Sequence, residues 1–236
     1  MNFLANSLTV LSLISGFVSI IFSLESHFTF ASWAIIFSVI FDGLDGQVAR
    51  KNPIPSEFGK ELDSLVDVVS FGIAPSMLGY IFIYKDFYFW ASLALFIYLV
   101  CSVMRLAKYN ITPKEKLENY FYGLPTTVSG GILASFILIY RKGKDISPLP
   151  QSIPIIFLFI VLFLAFLMVS RVRYLNLDGL KQLMGKKVKL IIFILAILLM
   201  LAAFLRKAGV AIFILFLIYL LFSPLVVKRL NHTLPR

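Results

Sequence analysis

Apolar runs long enough to cross a bilayer recur about eight times along the chain, near 6–24, 29–48, 63–84, 87–107, 121–140, 152–170, 188–205 and 208–225. A spanning helix needs roughly 20 apolar residues, and the bilayer core tolerates only segments whose backbone groups are satisfied internally. Runs of this length fit helices rather than barrel strands. Composition closes off a soluble alternative, because 60% of residues are hydrophobic and only 14% are charged. So few charges cannot cover a water-facing surface. The expected fold is an all-α integral membrane protein, a single transmembrane domain over residues 1–236 with about eight transmembrane helices.

The net charge of +10 would suggest nucleic acid in a soluble protein. Here the basic residues sit between apolar runs, where they set topology and meet anionic headgroups, so no nucleic-acid partner is expected. Numbering the loops in order, the even loops with their flanking helix ends and the C-terminus hold 16 of the 22 Lys and Arg. That bias places both termini and the even loops in the cytoplasm. The N-terminal MNFLANSLTV carries no Lys or Arg, so the first run is expected to be a retained span.

The single cysteine, Cys101, cannot form an intramolecular disulfide, and no Cys/His cluster offers a zinc site. Gly123 and Pro125 open the fifth span, proline being best placed in a first helical turn. Ser129, Gly130 and Gly131 predict close helix packing.

The informative charges are acidic. Asp42, Asp45, Asp63 and Asp67 lie at or just inside the predicted cytoplasmic ends of spans two and three. Asp42 and Asp45 are three residues apart and Asp63 and Asp67 four apart, so each pair shares a helical face. A short polar loop joins the two spans, which brings both faces to one depth. Four carboxylates gathered there repel one another unless a cation compensates them, and acids at membrane depth are costly and usually functional. Hard divalent ions, Mg²⁺ or Mn²⁺, prefer such oxygen ligands, and two can share the set. Gly43, Gly46, Ala49 and Gly59 leave room for a ligand beside them, and Arg50 offers a charge to a phosphate.

These residues read Asp42-x2-Asp45-Gly46-x2-Ala49-Arg50-x8-Gly59-x3-Asp63-x3-Asp67. The pattern resembles the signature of the CDP-alcohol phosphatidyltransferase family at every fixed position. The resemblance implies a six-helix catalytic core within residues 1–170, with a basic loop and two additional spans in 171–236. It implies that a CDP-linked lipid, diacylglycerol- or archaeol-based, presents its pyrophosphate to two divalent metal ions, Mg²⁺ or Mn²⁺. An alcohol attacks the lipid-side phosphorus and CMP leaves. Asp42, Asp45 and Asp63 resemble the principal metal ligands, and Asp67 both a ligand of the second metal and the general base. Asn6, Thr9, Gly46, Arg50, Ser56 and Gly59 resemble contacts to the CDP-lipid. Membrane lipids surround such an enzyme, and a homodimer is a further partner the resemblance suggests.

Three stretches, RLAKYN at 105–110, FYGLPTT at 121–127 and LMVSRVRY at 167–174, resemble the branch of the family that uses L-serine. The serine carboxylate needs a cation, and Arg105, Arg171 and Arg173 are the candidates, each equally readable as a positive-inside anchor. Inositol phosphate and glycerol 3-phosphate are alternative acceptors, with the basic 171–189 loop as a phosphate site. A cation-coupled transporter is a reading of another class; it predicts inverted repeats and acids near the midplane, whereas these acids sit at one interface and no repeat is evident. A non-enzymatic lipid-binding scaffold leaves the aspartate spacing unexplained.

Overall fold

The computed structural model describes residues 3–50, 57–112, 120–140, 150, 152–175 and 208–233. Among them are α1 (Phe3–Leu24), α2 (Phe28–Arg50), α3 (Glu57–Asp67), a π-helical stretch (Val68–Ile73), α4 (Ala74–Ile111), β1 (Tyr120–Tyr122), α5 (Thr126–Tyr140), α6 (Ser152–Val169), β2 (Arg173–Leu175) and α7 (Ala208–Thr233). Among the described residues, six segments are long and apolar enough to cross a membrane: Leu4–Leu24, Phe28–Ala49, Glu57–Tyr84, Phe87–Ile111, Ser152–Val169 and Ala208–Val227. Among the described residues the fold is all-α but for the two short strands. The expected run at 188–205 lies outside the described residues.

α4 contains two spans. Phe87 leaves the helical region (φ −146°, ψ 49°), and the chain reverses there. The Tyr98 hydroxyl donates to the Phe71 carbonyl at 3.0 Å, and the Ser76 hydroxyl reaches the Leu95 carbonyl at 3.5 Å, so the two limbs run back along each other. Their packing with α5 and α6 forms the apolar core. Phe82, Phe136 and Phe157 meet at its centre, with ring centroids 5.2 Å (Phe82–Phe157), 5.5 Å (Phe136–Phe157) and 6.4 Å (Phe82–Phe136) apart.

Hydroxyls hold the N-terminal helices together, as expected where lipid removes most of the hydrophobic drive between helices. The Ser12 and Ser38 hydroxyls lie 2.7 Å apart and each also reaches the other's carbonyl, while Ser19 donates to the Ala31 carbonyl at 2.9 Å. Close packing at Gly130 and Gly131 is present: a β-carbon on Gly130 would stand 3.2 Å from Pro75, and one on Gly131 would enter the Phe216 ring of α7.

Two expectations need correction. The fifth span does not begin at 121. Residues 120–122 form a strand, antiparallel to 173–175 with Tyr122 opposite Arg173; α5 starts at Thr126, and the Pro125 carbonyl accepts its first helical bond, from Ser129 N–H at 3.1 Å. Pro125 thus stands just before the first turn rather than in it. The third helix begins at Glu57, six residues before the apolar run, because its first turns are amphipathic rather than apolar.

Candidate active site

One end of the bundle gathers the end of α2, α3, the end of α4, the start of α5 and the β1–β2 ribbon. α3 is fastened to α4 there by polar contacts. Lys60 Nζ donates to the Asn110 carbonyl at 2.8 Å, and the Asn110 side-chain amide donates to the Ser64 hydroxyl at 2.8 Å. Lys60 is therefore engaged away from the acids.

The helical spacings do what the sequence predicts for three of the four aspartates. Asp42 on α2 and Asp63 and Asp67 on α3 each offer a carboxylate oxygen, and these atoms all lie within 4.8 Å of one another. Asp45, one turn along α2, is not among the three. It is buried beside the Thr9 hydroxyl of α1. Among the described residues the one contact of salt-bridge length is His27 with Glu25, at 3.8 Å, so no described Lys or Arg is salt-bridged to these acids.

Asp67 closes α3, and the π-helical stretch follows at once. Such a wide turn loosens the regular ladder and occurs often at functional sites. Here side chains from other helices brace it: Ser70 donates to the Ser12 carbonyl of α1 at 3.1 Å, and Tyr98 holds the Phe71 carbonyl.

Do these residues suit a divalent cation? Two buried carboxylate oxygens, Asp45 Oδ2 and Asp67 Oδ1, have no hydrogen-bond partner. A buried orphan acceptor is costly, on the order of 1–3 kcal/mol and more when charged. The Asp67 orphan belongs to the converging trio and the Asp45 orphan lies one helical turn away; oxygens of this kind are what a hard cation satisfies, so the donor set fits.

On α1, Thr9 donates to the Ala5 carbonyl at 3.0 Å, and the Asn6 amide nitrogen Nδ2 is buried without a partner. Gly46 lies one residue beyond Asp45 on α2, and Gly59 in the first turn of α3. Nothing stands within 4 Å of a β-carbon built on Gly43, which leaves that side of α2 open. Arg50 ends α2, with its side chain outside the described set; Ser56 lies outside the described residues.

The three candidate arginines separate. Arg105 is only 8% exposed. One of its terminal nitrogens donates to the Thr126 hydroxyl at 3.3 Å, its Nε is buried without a partner, and its guanidinium carbon lies 5.4 Å from the Tyr109 ring centre and 6.0 Å from that of Phe121. Asp67 and Asp42 are within its electrostatic reach. Arg171 and Arg173 are exposed, and Arg173 rests on the outer rings of Tyr120 and Tyr122 at 4.9 and 5.6 Å. Arg105, Lys108, Tyr109, Thr112, Tyr122 and Ser170 line a small pocket. Sequence reasoning missed Thr126, Tyr109 and Phe121 as Arg105's surroundings; FYGLPTT was the only signal available for two of them.

Known proteins resemble this chain in sequence. A CDP-diacylglycerol–serine O-phosphatidyltransferase of Helicobacter pylori is 32% identical over 218 residues, covering 91% of this chain and 87% of its own. An archaetidylserine synthase of Methanothermobacter thermautotrophicus is 34% identical over 75% of this chain and 71% of its own length. A CDP-diacylglycerol–serine O-phosphatidyltransferase of Bacillus subtilis is 33% identical over 74% of this chain and 90% of its own. The family model for CDP-alcohol phosphatidyltransferase matches residues 2–153, which include all four aspartates. With that match and relatives of this similarity along most of its length, the chain belongs to the CDP-alcohol phosphatidyltransferase family.

Proposed function

We propose that this enzyme transfers a phosphatidyl group from a CDP-linked lipid to L-serine, releasing CMP and leaving a serine phospholipid in the membrane. The observation that carries the reading is the placement of one buried, under-bonded arginine, Arg105, within electrostatic reach of the converging carboxylates. The names of these three relatives, two CDP-diacylglycerol–serine O-phosphatidyltransferases and an archaetidylserine synthase, support the same acceptor.

Asp42, Asp63 and Asp67, with Asp45 beside them, are the residues that would hold two divalent ions, Mg²⁺ or Mn²⁺. Bound there, such ions supply charge stabilisation to the attacking and leaving oxygens of an in-line displacement. Asn6 and Thr9 on α1, Gly46 and Arg50 on α2, Ser56, and Gly59 on α3 contact the CDP group. The unpartnered Asn6 amide is a donor of the kind a nucleotide requires. Arg105 receives the serine carboxylate through its free Nε edge and orients the hydroxyl toward the acids. Asp67 removes the hydroxyl proton as the serine oxygen bonds to the lipid-side phosphorus and the bond from that phosphorus to CMP breaks. Arg171 and Arg173, at the exposed rim, are anchors to headgroups rather than carboxylate ligands. The Lys and Arg bias supports a cytoplasmic position for this end of the bundle, where CDP and serine arrive from water. Residues 1–170 form the catalytic core.

The test is CMP release by purified protein supplied with CDP-diacylglycerol or CDP-archaeol, offering serine, inositol phosphate or glycerol 3-phosphate in parallel. Serine-dependent release supports the reading. Release with a phosphorylated acceptor alone would replace serine, and release with none would remove the transferase assignment from this chain's own chemistry.

A further inference from the structure

β1 and β2 are three residues each and about fifty residues apart in sequence. A two-stranded ribbon is marginal by itself, and closing so long a loop adds an entropic cost. Something outside the ribbon must hold it. On one side Gly123, at φ +77°, turns the chain so that its N–H donates to the Val172 carbonyl at 2.8 Å and Leu124 N–H to the Leu167 carbonyl at 3.1 Å. Any side chain at 123 would collide with the Met168 carbonyl. On the other side stands α7. The Tyr219 hydroxyl donates to the Leu175 carbonyl at 2.8 Å, and Leu175 N–H donates to the Ser223 hydroxyl at 2.5 Å. One turn of α7 thus takes both backbone groups of Leu175, as a third strand would. The Tyr219 ring stacks on Tyr174 at 6.2 Å and 20°, and Tyr174 is 1% exposed. Tyr219 is also within electrostatic reach of Arg105.

The ribbon is a wall of the small pocket at Arg105. Tyr122 lines it with Arg105 and Lys108, and Phe121, opposite Tyr174 in register, lies under the Arg105 guanidinium. The family match ends at residue 153, before β2 and α7. We propose that α7 shapes the acceptor pocket through Tyr219 and Ser223, two positioning residues that fasten β2 and, through it, the Tyr122 and Phe121 wall around Arg105. This rests on Arg105 being the serine site. The last helix then acts in acceptor selection, with no part in holding the nucleotide or the metals.

The experiment measures serine-dependent CMP release by the full-length protein and its Tyr219→Phe, Ser223→Ala and Ser223→Thr variants, varying serine and CDP-diacylglycerol separately. Thermal midpoint and size-exclusion profile are recorded for each. Tyr219→Phe and Ser223→Ala should each raise the serine KM by about fivefold, the size of one lost hydrogen bond. The CDP-diacylglycerol KM should stay put, and Ser223→Thr should restore the serine KM. Unchanged serine KM in both deletions overturns the proposal, as does an equal rise in both KM values, or a loss of folding that Ser223→Thr shares. An active wild type without serine dependence is a different failure, since it overturns the acceptor reading before any variant is compared.

Discussion

Gly16 of α1 and Ser70 of the π-helical stretch approach so closely that a β-carbon on the glycine would stand 2.5 Å from the Ser70 hydroxyl oxygen and 2.8 Å from its Cα. The first helix therefore docks directly on the wide turn that follows Asp67. With the Ser70–Ser12 bond, this contact fixes where α3 ends and where its last carboxylate points.

Gly16→Val should accordingly push α1 off the turn. The obstacle includes backbone, which cannot rotate away, and overpacking of this kind costs about 1–3 kcal/mol. The thermal midpoint in detergent should fall by roughly 2–10 °C, with kcat reduced because Asp67 is displaced. A variant with wild-type midpoint and kcat would show that the contact relaxes freely.

Asp67→Asn keeps the size of the side chain and removes the base. A positioned general base contributes about 10²–10⁴-fold, so kcat for serine-dependent CMP release should fall by at least that lower bound. CDP-lipid binding, read by equilibrium titration, should persist in part. Normal turnover in this variant would remove Asp67 as the base.

Arg105→Lys preserves charge and loses the planar fork and its stacking on Tyr109. The serine KM should rise by roughly 10–100-fold, the range of a charge-assisted hydrogen bond. The CDP-lipid KM should move little, and Arg171→Ala, at an exposed position, should move neither by more than about twofold. Equal effects of Arg105→Lys on both substrates would return Arg105 to a general electrostatic role.

Six of the eight expected spans and the aspartate pairs were legible because both are periodic. A helix repeats, so i, i+3 and i, i+4 spacings of Asp42, Asp45, Asp63 and Asp67 translate directly into faces. That Asp45 falls outside the tight trio was not legible, since one turn of separation along α2 looks the same in sequence whichever residue points at the partner helix. The π-helical stretch left no local mark, for it depends on Ser12 and Tyr98, 58 and 27 residues away from their partners Ser70 and Phe71. The ribbon was equally hidden: three-residue strands carry no period, and their pairing is fixed by α7 and Gly123 rather than by β-propensity. Arg105, Arg171 and Arg173 read alike in sequence, all basic residues near span ends, and only burial distinguishes the first.

If the converging carboxylates hold divalent cations for serine phosphatidyl transfer, turnover must follow the metal. CMP release from CDP-diacylglycerol and serine is therefore measured with protein stripped by chelator and then titrated with Mn²⁺, in wild type and in Asp63→Ala. No turnover after stripping, saturable recovery on titration and a Mn²⁺ requirement raised at least roughly tenfold in Asp63→Ala are the predicted results. Full turnover by stripped protein, or an identical Mn²⁺ titration in the variant, would contradict the account.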